Sequence, residues 1–187
     1  MLISKIGQMF RSRASRAPAI SPLEQAISRA DVDTLKILIA QGMDINARNI
    51  RGHAPVLLST AKGLGDIVQL LLENGAKVDV AEHCSGYTSL HYAASFGHVD
   101  LCELLVRYGA DTDAQNARLE TPLHLAVAGG HREVVAILLE YRARLDIRDK
   151  NGLMPLQQAE NSQNREMITL IEQHLSEAWP YLLISCR

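Results

Sequence analysis

Residues 121–140, TPLHLAVAGGHREVVAILLE, set His124 and His131 seven positions apart, with Glu133 just beyond the second. On a helix, residues seven apart share a face. Two imidazoles with a nearby carboxylate are the ingredients of a metal site with a general base, the arrangement that activates a water for hydrolysis. Ligands of a single metal have no reason to recur along a chain, and these histidines do.

Moved back by 33 residues, the stretch falls on SLHYAASFGHVDLCELLVRYGAD (89–111), where His91 and His98 take the places of His124 and His131. A further 34 back lies PVLLSTAKGLGDIVQLLLENGAKVD (55–79), and another 33 gives PLEQAISRADVDTLKILIAQGMDIN (22–46). Forward by 33, PLQQAENSQNREMITLIEQHL (155–175) keeps the register. The anchor is proline at Pro22, Pro55, Pro122 and Pro155, with Ser89 as the exception. The histidines therefore repeat because a structural unit repeats, and fixed periods of this length mark stacked-repeat architectures. His53, His83 and His174 are scattered, and no HExxH, phosphate-binding loop or G-x-S-x-G occurs. No catalytic or metal-ligating residue and no cofactor is assigned, and an enzyme is not expected.

Each unit reads as two helices and a turn. Thr121 is a natural N-cap, and Pro122 a natural first residue whose missing N–H costs nothing there. Leu123, Ala126 and Val127 form an apolar face, Gly129-Gly130 breaks the helix, and a second helix from about Arg132 carries Val134, Val135, Ile137, Leu138 and Leu139. Gly75 and Gly109 supply the left-handed position that ends this second helix in earlier units. No single unit buries both faces alone, so neighbours must stack into one core.

TPLHLA, GGHREVV and ILLE in residues 116–148, with GYTSLHYAASFGH and YGADTDAQ in 83–115, resemble the ankyrin repeat family. The resemblance covers about residues 21–175, in repeats near 21–48, 49–82, 83–115, 116–148 and 149–175. It implies an all-α solenoid of stacked helix-turn-helix units joined by hairpin-like loops. It also implies a non-catalytic protein–protein interaction module that binds a partner protein or peptide on its concave groove and loop tips. The tip positions so implied include Arg48, Arg51, His53, Tyr87, Arg118, Glu120 and Arg148. The matching first-helix positions include Lys62 and Phe96, and Tyr108 and Tyr141 end second helices. Tyr87 and Phe96, in one repeat, would be exposed aromatic anchors, or would cover their own backbone. Arg48, Arg51, Arg118, Arg148 and Lys150 against Glu82, Glu120 and Asp149 give the tips a net +2. That excess suits an acidic or phosphorylated segment, unless it is plain solvated charge. The family includes arrays hydroxylated on a hairpin asparagine, and Asp44-Ile45-Asn46 resembles that context. Val80, Asp113 and Ile147 are read as its equivalents, leaving Asn46 as the hydroxylation candidate.

Departures from the pattern carry their own expectations. Ala54 and Leu57 stand where Thr and His belong, so repeat two lacks a cap worth about 0.5–2 kcal/mol. It should open more readily than its neighbours unless Leu57 compensates by packing. Leu119 stands at the turn glycine of repeat four, where positive φ costs a non-glycine roughly 1–2 kcal/mol, so a different turn is expected there, with strain tolerated for a functional reason as the alternative. Arg142 likewise replaces a helix-ending glycine. Gln157, Gln158, Asn161, Ser162, Gln163 and Asn164 give repeat five the polar face of a terminal cap.

The chain has 187 residues, net charge −2, 47% apolar and only 4% aromatic residues. The first 23 residues hold Lys5, Arg11, Arg13 and Arg16 without an acid, and the remainder is net −6. An acidic array without a continuous basic stripe makes nucleic acid an unfavoured partner. Three spaced cysteines (Cys84, Cys102, Cys186), no Asn-x-Ser/Thr and no long apolar run point to a reducing, cytoplasmic setting, with the nucleus or a membrane surface as alternatives. A monomer is expected. Leu2, Ile3, Ile6, Met9 and Phe10 share a helical face in the basic segment 1–20. The second functional reading is therefore an adaptor recruited to a membrane or organelle through residues 1–16, a host-directed bacterial effector included. The same segment could instead pack on repeat one. Residues 176–187 form an apolar tail.

Overall fold

The computed structural model describes residues 21–178. The N-terminal segment read for targeting or capping, and the tail from residue 179, lie outside the described residues. The array itself forms five pairs of antiparallel helices: α1 (Pro22–Ser28) with α2 (Val32–Ala40), α3 (Pro55–Ala61) with α4 (Gly65–Glu73), α5 (Ser89–Phe96) with α6 (Val99–Arg107), α7 (Pro122–Gly129) with α8 (Arg132–Glu140), and α9 (Pro155–Asn161) with α10 (Arg165–Ala178). No strand occurs among the described residues. The last helix, at 14 residues, continues past the end of the array expected at residue 175.

Odd-numbered helices pack on one another in one row and even-numbered helices in a second. The odd row is the more closely packed, because Ala26, Ala93, Ala94, Ala126 and Ala159, all buried, let the backbones approach. A stack whose rows differ in spacing must bend toward the tighter one, so the odd helices line the inner face. Between the rows runs a single aliphatic core in which Leu35, Val68, Leu71, Leu90, Leu105, Leu123, Leu138 and Ile171 are fully buried.

The repeated histidines act as joints. In α5, the backbone N–H of Thr88 donates to His91 Nδ1 at 3.1 Å, and the His91 backbone N–H donates to Thr88 Oγ1 at 3.4 Å. Nε2, which faces a carbonyl and so must carry the proton, donates 3.0 Å to Glu120 O in the next hairpin. Thr121 and His124 repeat this cap, with Nε2 donating 3.1 Å to Leu153 O. Burial holds both imidazoles below their ordinary pKa, so they stay neutral at pH 7.

Repeat two, as its sequence requires, has no such joint: Ala54 caps α3 without a side-chain hydrogen bond. Leu57, in the histidine column, is fully buried in the core, so packing takes the place of polar bonding. In repeat five Gln157 fills the column, its Oε1 accepting the Met154 N–H at 3.1 Å, while Asn161, Ser162 and Gln163 face solvent as a terminal repeat requires.

Positive φ occurs in three columns of period 33 or 34. Ala30, Gly63, Gly97, Gly130 and Gln163 turn the first helix into the second; Gly42, Gly75, Gly109 and Arg142 end the second; Gly52, Gly86, Leu119 and Gly152 close the hairpins. Leu119 at φ 58° corrects the expectation of a different turn in repeat four. The array imposes its geometry on a leucine, and the strain is accepted because the flanking repeats fix both ends of the hairpin.

Candidate functional site

Four hairpins edge the inner face, and one column sets their chemistry. Asn49 Oδ1 accepts the backbone N–H groups of Arg51 and His53, each at 2.9 Å. Asn116 Oδ1 accepts those of Arg118 and Glu120, and Asp149 Oδ1 those of Asn151 and Leu153. Each short side chain thus staples its own turn. The fourth member of the column is Glu82, whose hairpin (82–87) is one residue longer than 49–53, 116–120 and 149–153.

With an extra methylene and a longer loop, Glu82 reaches outward. Its carboxylate accepts from Ser85 Oγ, from Tyr92 OH at 2.9 Å, and from His53 Nε2 of the preceding repeat at 2.6 Å. These bonds, with Ser85 foremost, hold the Glu82 carboxyl below its ordinary pKa against the opposing effect of burial. Tyr92 moves the other way, up to about 12, through burial and the adjacent carboxylate, so its phenol stays a donor.

Fixing Tyr92 organises a row of rings along α5. Tyr87 lies 5.2 Å from Tyr92, Tyr92 is stacked on Phe96 at 6.3 Å, and Phe96 lies 5.8 Å from His98 (centroid distances). Phe96 is 54% exposed, and Tyr87 and Tyr92 are half-buried. Of the two readings of Tyr87, exposed anchor or cover for its own repeat, the half-buried ring fits the second and gives one flank to the cluster, while Phe96 is exposed. Sequence reasoning passed over Tyr92 and treated Glu82 as a surface charge. The signals were present: Tyr92 follows the repeated histidine by one residue, and the 34-residue step marks an insertion.

The tips divide by sign. Arg48, Arg51, Arg118, Arg148 and Lys150 are exposed, as is Lys62 at the end of α3. Arg48 Nη1 also donates to Gly52 O and, across the repeat boundary, to Ala81 O, both at 2.7 Å; Arg148 Nη1 donates to Gly152 O. Two tip acids are not surface groups. Glu120 is only 8% exposed and accepts from Asn116 Nδ2 at 2.8 Å, and Asp149 is buried as a staple. Glu120 is therefore removed from the candidate binding residues: its carboxylate is occupied within the hairpin. His53, half-buried in its hydrogen bond to Glu82, supports the ring row rather than forming a free contact. Tyr108 and Tyr141 are exposed, but they end the outer helices α6 and α8 and take no part in the ring row.

Asn46 belongs to another column. Its Oδ1 accepts the Lys77 N–H at 2.9 Å, as Asp79 accepts Asp111 N–H and Asp113 accepts Arg144 N–H. The repeat-two equivalent of Asn46 is thus Asp79 rather than Val80, and the same spacing makes Asp146 rather than Ile147 the repeat-four one. Asn46 stays the asparagine of its column.

Adjacent tips are joined through backbone as well: Ala117 N–H donates to Ser85 O, and Lys150 N–H to Arg118 O, both at 2.8 Å. Among the described residues no three His, Cys, Asp or Glu side chains stand together as a metal site, and no helix is long and apolar enough to cross a membrane. Cys84 is exposed; burial pushes the Cys102 thiol up to about 12.

The family described as ankyrin repeats (3 copies) matches residues 23–116, and ankyrin repeats (many copies) matches 105–159. The chain belongs to the ankyrin repeat family. Ankyrin repeats are in general a non-catalytic fold for protein–protein interaction. Among curated proteins, this ankyrin chain is 34% identical over 104 residues to the B-cell lymphoma 3 protein homolog of Mus musculus, covering 55% of this chain and 23% of that protein. It is 35% identical over 86 residues to the probable E3 ubiquitin-protein ligase XBOS33 of Oryza sativa subsp. japonica (46% and 16%). It is 32% identical over 103 residues to the neurogenic locus notch homolog protein 1 of Homo sapiens (54% and 4%). The chain spans less than a quarter of the length of each of these relatives.

Proposed function

We propose that this ankyrin array works as a non-catalytic binding module whose inner face, centred on α5, holds a partner protein. The observation that carries this is the ring row Tyr87–Tyr92–Phe96, pinned from below by Glu82 and open to solvent at Phe96. Rings of large area and few rotamers make strong anchors, because little entropy is lost on contact. A rotamer fixed in advance lowers that loss further.

A photo-crosslinking residue placed at position 96 tests the reading, with position 36 on the outer helix α2 as control. In native lysate, crosslinks at 96 to a defined protein and none at 36 are expected, and Arg118→Glu should weaken them in a variant whose circular dichroism is unchanged. Equal labelling from both positions would refute an inner-face site.

A further inference from the structure

The two faces of the array carry charge differently. On the first helices and the hairpins (49–53, 82–87 and 116–120) of repeats one to four the acids are Glu24, Glu82 and Glu120, all half-buried or buried, while the exposed Asp44, Asp79 and Asp111 lie in the segments that lead to the hairpins. Glu24 accepts from Asn49 Nδ2 at 3.1 Å, Glu82 from His53, Ser85 and Tyr92, and Glu120 from Asn116. The cations of the same face, Arg29 and Lys62 at the helix ends with Arg51 and Arg118 at the tips, are all exposed. On the outer helices α2, α4, α6 and α8 the order reverses: Asp33, Asp66, Glu73, Asp100, Glu103, Glu133 and Glu140 are exposed, against Lys36, Arg107 and Arg132. A chain of net charge −2 is thus divided into a cationic inner side with aromatic rings at its centre and an acidic back.

We infer that the inner face of repeats two to four takes an acidic segment of a partner protein, which sets one aliphatic or aromatic side chain on the Tyr92–Phe96 rings and its carboxylates toward Arg51, Lys62 and Arg118. This rests on the reading of the inner face as the working surface. These carboxylates keep their charge but are held back among their donors, so an incoming anion meets the exposed guanidinium and ammonium groups first. The exposed guanidinium groups pair with carboxylates in bidentate geometry, and they speed encounter at low salt. Apolar contact with Phe96 supplies the part of the affinity that salt does not screen. Nucleic acid shares the anionic character but lacks an aliphatic anchor, and the cations form a frame rather than the continuous stripe a phosphate backbone follows.

The test is selection of a random 12-residue displayed peptide library on the full chain, followed by fluorescence anisotropy of the enriched peptides and of a 20-nucleotide oligothymidine. Enrichment of Asp and Glu around a single Leu, Ile, Phe or Tyr is expected. Affinity should fall at least tenfold between 50 and 500 mM salt. It should fall at least tenfold for Phe96→Ala, and further for Arg51→Glu/Arg118→Glu, which should in turn accept Lys-substituted peptides. Enriched peptides that are neutral or basic, yet lost with Phe96→Ala, would overturn the acidic assignment and leave the inner-face reading standing. Peptides indifferent to Phe96, or no enrichment, would overturn both. Oligothymidine binding tighter than any peptide would replace the proposed partner with nucleic acid.

Discussion

Asn116 and Glu82 occupy the same column one repeat apart, yet Asn116 staples its own turn, while Glu82 bonds Ser85 within its hairpin and reaches out of it to His53 and Tyr92. The two hairpins share a frame, a positive-φ closing residue and a backbone seam between them. One inserted residue, one methylene and the exchange of an amide for a carboxylate set the two column positions apart. The comparison shows how one column position can serve two ends: with the longer side chain, the carboxylate orients a ring on the inner face and ties repeat two to repeat three.

The largest effect should come from deleting the two column residues. Glu82→Ala leaves Tyr92 OH, Ser85 Oγ and His53 Nε2 without their acceptor and is expected to lower stability by about 2–3 kcal/mol. Asn116→Ala, which frees two backbone donors of a turn edge, should cost about 1–2 kcal/mol. Urea unfolding measures both. A double-mutant cycle with His53→Ala sharpens the contrast: coupling to Glu82 of about 0.5–3 kcal/mol is expected, against additivity within about 0.5 kcal/mol for Asn116. Equal coupling for the two would remove the distinction drawn between the hairpins.

Acid should act on the pair of regions at different pH. His91 and His124 have folded pKa values below their ordinary 6.5, so the folded state disfavours the proton. The stability they contribute is complete above 6.5 and is lost as pH falls through 6.5 toward the folded values. Glu82 is held below its ordinary 4.5; its contribution is complete above 4.5 and declines only below it. Melting temperature followed from pH 8 to 3.5 should therefore fall in two stages. His124→Gln, which keeps a side-chain amide in the column, should make the upper stage shallower, His91 remaining, and leave the lower. Glu82→Gln should make the lower stage shallower, with Asp149 still held below its ordinary pKa, and leave the upper. A smaller effect is expected at Leu119, where Gly relieves the φ 58° conformation and should raise stability by up to about 1 kcal/mol, an increment readable as a shift of the urea midpoint.

The period, the two-helix unit, the cap at Thr121 and the polar last repeat were legible in the sequence: the first two are local rules repeated five times, so repetition cancels exceptions, and the other two follow from residue type at a fixed place in the unit. The site was legible only in part. Phe96 and the cationic tips could be read from their places in the repeat. Glu120 could not, since whether a side chain turns in or out within a five-residue hairpin depends on its hydrogen-bond partner there; Tyr92, on α5, had a place in the repeat, but its bond to Glu82 depends on the longer hairpin. Leu119 failed differently: local preference argued for another turn, and the stacked neighbours overrode it.

The seam between the tips has a mechanical consequence. Ser85–Ala117, Arg118–Lys150 and the Arg48 bridge to Ala81 run hydrogen bonds along the length of the array at one edge, while the even helices meet more loosely. Such a body is stiff at the tips and compliant at the back, like a hinged ribbon with one taped margin. Tension applied to its ends would fan the outer layer first, and a ligand gripping two tips would load the edge that stretches least.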